Sequence, residues 1–108
     1  MNMFNWEKIK ELVERVPFGL ELSQPKGVIT KAVRQELTQR DALTCQCCGL
    51  QDNYGNPGFA IPGKLAVHHI IPNGAATLEN LITLCKYCHN VVHLILYILR
   101  KWRYVPMR

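Results

Sequence analysis

The chain has 108 residues, 48 % of them apolar, and a net charge of +5 from 13 Lys and Arg against 8 Asp and Glu. That length suits one domain with a modest core, which a structural metal would strengthen, and the apolar share excludes a disordered chain. The run Val91 to Leu99 is apolar but too short to span a bilayer and is broken by His93, and Glu7, Glu11 and Glu14 make the N-terminus unlike a signal peptide, so a cytoplasmic protein with no membrane partner is expected.

In chain order, Trp6, Ile9, Leu12, Val13 and Val16 recur at helical spacing and predict an amphipathic helix over residues 4–16, stopped by Pro17 and Gly19. Leu20 to Gly27 reads as a connection, and Val28 to Arg40 as a second helix. Cys45-Gln46-Cys47-Cys48-Gly49 looks like a metal knuckle whose glycine relieves the tight turn. Residues 52–63 hold Asn-Tyr-Gly and two Pro-Gly pairs and read as loop. Lys64 to Ile71 predicts a strand, Pro72-Asn73-Gly74 a turn, and Leu81 to Leu84 a second strand. No breaker follows Lys86 until Pro106, so residues 87–102 predict the longest helix, its apolar positions Leu94, Ile95, Ile98 and Trp102 packed on the hairpin and the N-terminal helices. The expected division is an N-terminal helical extension, 1–40, on a core, 41–108, in one compact domain overall.

All five cysteines and all four histidines fall between residues 45 and 93. Cys45 and Cys48 form one Cys-x2-Cys pair, and Cys85 and Cys88 another, with 36 residues between. Two intervening residues let both sulfurs of a pair face one centre, and four thiolates select a closed structural Zn2+ site. Cys47 reads as a spare thiol, although it could replace Cys48 or Cys45 as a ligand. Zinc bound there would tie the region before the first strand to the start of the last helix and couple metal binding to folding.

His89 and His93, four residues apart on the predicted helix, project from one face at metal-ligand spacing. Val67-His68-His69-Ile70-Ile71-Pro72, then Leu78-Glu79-Asn80-Leu81-Ile82-Thr83-Leu84-Cys85-Lys86-Tyr87-Cys88-His89 and finally His93, resemble the signature of the HNH endonuclease family across about residues 40–95. The resemblance implies an α+β fold: a small ββα-metal core with a structural zinc site, with the two N-terminal helices packed on it. It implies His69, Asn80 and His89 as catalytic residues, with His69 the general base and Asn80 holding the loop that aims it, leaving the second His69 ring nitrogen to a backbone partner. It implies His68, His89 and His93 as ligands of one catalytic divalent metal (Mn2+, Ni2+, Zn2+ or Mg2+). Strict pleating sends His68 and His69 to opposite faces. A bend or bulge at the strand end, near Pro72, is therefore expected if both serve one site; on a regular strand His68 is a surface residue.

Many members of the family carry Asp where this chain has His68, which suits Mg2+; imidazoles favour transition metals. Basic residues are concentrated in two zones, Lys26 to Arg40 and Leu84 to Arg108, a pattern compatible with nucleic acid, although charge alone favours ordinary solvated charge. Arg100, Lys101, Arg103 and Arg108 are candidate phosphate contacts, the first three the expected DNA-binding set. Nothing resembles a base-reading module, so low sequence specificity follows. The expected function is a metal-dependent HNH endonuclease that hydrolyses DNA phosphodiester bonds by nicking one strand; the alternative is a non-catalytic zinc-dependent nucleic-acid-binding or phage-packaging accessory module. The small size fits a homodimer or a phage or mobile-element partner, and no residue names one.

Overall fold

In the computed structural model, which describes residues 4–22, 27–51, 65–72 and 74–104, Asn5 starts the first helix: its side chain accepts the Lys8 amide at 3.2 Å. Helix α1 (Trp6–Glu14) buries Ile9, Leu12 and Val13 on one face, and Val16 joins the same core. Trp6, expected in that stripe, is 63 % exposed and packs edge-on against Phe4. The expected connection from Leu20 begins instead with a short strand, β1 (Leu20–Leu22). Helix α2 (Lys31–Asp41) starts three residues later than expected, because the Thr30 side chain caps it by accepting the Val33 amide at 3.2 Å.

Strands β2 (Leu65–His69) and β3 (Leu81–Cys85) form an antiparallel hairpin in which Leu65 faces Cys85, His68 faces Ile82 and His69 faces Leu81. A 3₁₀ turn, Leu78–Asn80, leads into β3, and helix α3 (Lys86–Ile98) follows it directly. All five residues of β3 are buried, so its outer edge must be covered. The Thr83 amide donates to the Asp41 carboxylate at 3.0 Å, and the Thr83 carbonyl accepts the Gln46 amide at 3.0 Å. Arg40 completes this staple: its guanidinium grips Asp41 at 2.8 and 3.1 Å and donates to the carbonyls of Leu78 and Leu81, both at 2.6 Å. The neighbouring carboxylate pushes the Arg40 pKa up from its ordinary value, against a smaller opposing effect of burial. The two N-terminal helices pack on the core as expected, α1 against α3 and α2 against β3. The expected loop 52–63 lies outside the described residues.

The last helix is shorter than expected and packs by a different face. It ends at Ile98, where the Arg100 amide returns to the Tyr97 carbonyl at 3.0 Å and the Lys101 amide to the Leu96 carbonyl at 3.0 Å. Arg100 has φ +53°, the left-handed position that ends such a turn, and it does so without a glycine or proline to announce it. The chain then forms β4 (Trp102–Tyr104), parallel to β1 with Leu20 opposite Trp102. The buried face of α3 is Cys88, Val92 and Leu96, whereas Leu94 and Ile98 are exposed. Among the described residues no helix is long and apolar enough to cross a membrane.

Candidate metal centres and active site

Two identical turns build the first centre. The Cys48 amide points at the Cys45 sulfur at 3.4 Å, and the Cys88 amide at the Cys85 sulfur at 3.3 Å. Gly49, at φ +80°, closes the first turn as expected, and Cys85 caps α3 in the second. The four sulfurs of Cys45, Cys48, Cys85 and Cys88 lie within 4.8 Å of one another. The Cys48 and Cys85 sulfurs are 3.7 Å apart, against about 3.8 Å for two corners of a tetrahedron with metal–sulfur bonds of about 2.3 Å. Burial pushes the Cys48 thiol up, and it pushes Cys88 further, helped by the crowding thiols of Cys85 and Cys45. Cys45 goes down, because the backbone amides around it outweigh its burial. Four sulfurs held this close favour a cation among them, and the donor set fits zinc. Cys47 is buried outside the cluster, its sulfur 3.5 Å from the Asn5 carbonyl.

The second centre joins the hairpin to the helix. His68 of β2 and His89 and His93 of α3 place their ligand nitrogens within 4.8 Å of one another. The His89 and His93 Nε2 atoms are 2.9 Å apart, and the His68 ring centroid lies 5.1 and 5.3 Å from theirs. Two nitrogens on one cation at about 2.1 Å are separated by roughly 2.9 to 3.4 Å, so the trio fits a divalent ion. Glu79 is not part of it; that side chain is exposed, and its carboxyl is held below the usual range by its own backbone amide and the Thr77 hydroxyl.

The register is unbroken through β2, so no bulge lies within the strand, and the chain bends only beyond it, at Ile70 and Ile71. His68 and His69 diverge as regular pleating requires, yet His68 is buried in the trio rather than on the surface. The other direction carries His69 away from α3, and its Nε2 lies 3.2 Å from the Gly27 carbonyl. Asn80 clamps the loop between the strands: Oδ1 accepts the Ile71 amide at 2.9 Å, while Nδ2 donates to the carbonyls of Ile71 at 3.0 Å and Ala75 at 3.1 Å. Gly27 was missed by sequence reasoning, since nothing local marks a residue that meets a strand 42 positions later.

Of the expected DNA contacts, Arg100 is exposed at the end of α3 and Arg103 falls in β4; Arg108 lies outside the described residues. Lys101 requires a correction. It is 5 % exposed, its ammonium donates to the Val16 carbonyl at 2.6 Å and sits 3.9 Å from the Phe18 ring centroid. The turn after α3 sends the chain back under α1, so this charge joins the N-terminal and C-terminal segments instead of facing solvent.

Comparisons with known proteins agree with this layout. The family model described as HNH endonuclease matches residues 45–93. The chain is 34 % identical over 86 residues to the type IV methyl-directed restriction enzyme EcoKMcrA of Escherichia coli (strain K12), covering 73 % of this chain and 29 % of that protein. No solved structure matches significantly. With a ββα core that carries a four-cysteine cluster and a histidine trio at the matched positions, residues 45–93 are a domain of the HNH endonuclease family.

Proposed function

We propose that the protein is a metal-dependent endonuclease that hydrolyses DNA phosphodiester bonds, nicking one strand with low sequence specificity. The observation that carries this reading is the meeting of His68, His89 and His93 on the same hairpin and helix that present His69 and Asn80. Cys45, Cys48, Cys85 and Cys88 would hold a structural Zn2+, and His68, His89 and His93 one catalytic divalent cation. When bound, that cation supplies positive charge for the phosphate and the departing 3′ oxygen. The related restriction enzyme is described as methyl-directed, but the chain spans under a third of it, and only the nuclease chemistry is carried over.

His69 is the general base. Its neutral imidazole takes a proton from water, the water O–H bond breaking as the N–H bond forms. The water oxygen bonds to phosphorus, the bond to the 3′ oxygen breaks with its electron pair, and the 3′ oxygen is protonated from solvent. Asn80 keeps the loop closed so that His69 stays aimed at the phosphate. Arg100 and Arg103 are the remaining candidates for phosphate contacts near the end of α3.

Purified protein with added Mn2+ or Ni2+ is expected to relax supercoiled plasmid, and faster than with Mg2+, because three imidazoles prefer the softer ions. His69→Ala is expected to stop cutting and keep its zinc. Undiminished cutting by that variant would overturn the mechanism, and plasmid that is bound but never cut would point to a binding module.

A further inference from the structure

We propose that Gly27 is a positioning residue of this site: its carbonyl holds the His69 ring in the Nε2–H tautomer and leaves Nδ1 as the basic nitrogen. The inference rests on the endonuclease reading above and extends it to a residue 18 positions before the family match begins.

Three contacts form one chain. The His69 Nε2 lies 3.2 Å from the Gly27 carbonyl, and a carbonyl only accepts, so that nitrogen carries the hydrogen. The approach requires glycine for reasons of space. A Cβ on Gly27 would stand 2.9 Å from the Ala76 amide nitrogen and 3.4 Å from the Ala76 Cβ, and backbone cannot swing aside as a flexible side chain can. The loop that Gly27 leans on is the one Asn80 clamps, through the Ala75 carbonyl at 3.1 Å. Gly74, on the same loop, also lies against Asn80, where an added Cβ would be 2.5 Å from Nδ2.

Asn80 therefore acts on His69 along two routes: through the strand connection, and through the seat it keeps for Gly27. The far end of the segment is equally fixed. Gly27 stands three residues before the cap of α2, and α2 is stapled to β3 at its other end by Arg40 and Asp41. The N-terminal extension thus supplies a working part of the site, not only a cover for the core. Selecting the tautomer matters because the base must present a lone pair, and a ring that samples both tautomers spends part of its time with the hydrogen on the wrong nitrogen.

The test uses the full chain loaded with zinc, nicking plasmid in Mn2+, with the His69 ring nitrogens read by 15N NMR at a single pH where the ring is neutral. Gly27→Ala is expected to lower kcat roughly 10- to 100-fold while KM for DNA and zinc content stay near those of the parent. Its His69 ring is expected to lose the single Nε2–H signature. Val28→Ala, a neighbouring change at a side chain 86 % exposed, is expected to cut normally. A Gly27→Ala protein that cuts as fast as the parent, or keeps a pure Nε2–H ring, overturns the proposal.

If Gly27→Ala fails to fold, replacing Val28 by its α-hydroxy analogue turns the Gly27 carbonyl into an ester carbonyl, a weaker acceptor, with every side chain retained. Slower cutting and a mixed ring support the proposal there; unchanged cutting and ring overturn it. A parent protein that cuts nothing defeats the endonuclease reading. The parent's ring spectrum then decides the Gly27 contact separately, and an Nδ1–H ring overturns it.

Discussion

Asn80→Asp separates the clamp from its shape. The substituted side chain keeps an acceptor for the Ile71 amide, now at 2.9 Å, but loses the two N–H donors to the Ile71 carbonyl at 3.0 Å and the Ala75 carbonyl at 3.1 Å. Each carbonyl left without its donor costs about 1–3 kcal/mol when buried. Ala75 is exposed, so water satisfies that carbonyl at little cost, and the Ile71 carbonyl keeps the Gly74 amide as a second donor, so the lost bonds count at the low end of that range. Repulsion between the carboxylate and two carbonyl oxygens adds to it, for a total of about 2–3 kcal/mol. If all of it falls on the closed loop, the population of aligned sites drops by up to about 100-fold, since about 1.4 kcal/mol is a factor of ten. Plasmid nicking measures the activity, and hydrogen exchange of the Gly74 amide, which donates to the Ile71 carbonyl at 2.9 Å, measures the loop. Parental nicking together with an equally protected Gly74 amide would refute the clamp.

Asp41→Ala should lower stability by about 2–3 kcal/mol, at the low end for a broken ion pair because the Arg40 side chain is 39 % exposed, and Asp41→Asn should cost less because it keeps an acceptor for Thr83; thermal unfolding decides, with the melting temperature falling by about 10 °C or more for the alanine variant. Lys101→Met should destabilise the fold by about 1–2 kcal/mol and leave the salt dependence of DNA binding unchanged, whereas a shallower slope would return Lys101 to the DNA face. Cys85→Ser should lose zinc and fold poorly, as should the parent treated with a chelator; retained zinc removes Cys85 from the ligand set. Because burial holds the Cys48 and Cys88 thiols up in the metal-free protein, zinc uptake near neutral pH should release protons and tighten as pH rises, and calorimetry in buffers of different ionisation enthalpy measures the number released.

The features legible in the sequence were those that local geometry dictates. Two residues between cysteines can only form a turn that aims both sulfurs one way, and the knuckles have that form. A spacing of four positions along a helix places His89 and His93 on one face, and their nitrogens meet at 2.9 Å. The order strand, loop, strand, helix follows from where Pro, Gly and β-branched residues fall, and the hairpin register carries it out. Helix ends were less legible: α3 stops at a left-handed Arg100, a role usually given to glycine, so its early end and the strand beyond it had no sequence marker.

Only the tertiary structure decided which neighbours each functional side chain would meet. His68 and His69 are adjacent in the motif but meet different surroundings, since alternation on the pleated strand sends one to α3 and the other to Gly27. Lys101 looked like one more exposed cation, yet the turn after α3 and the pairing of β4 with β1 bury it against Val16, 85 residues away. Asp41, an ordinary acidic residue at a helix end, covers the edge of β3 with Arg40. Spacing governs what a turn or a helix does with its own residues, whereas contacts across 42 or 85 positions depend on how whole elements dock, and no short stretch of sequence carries that information.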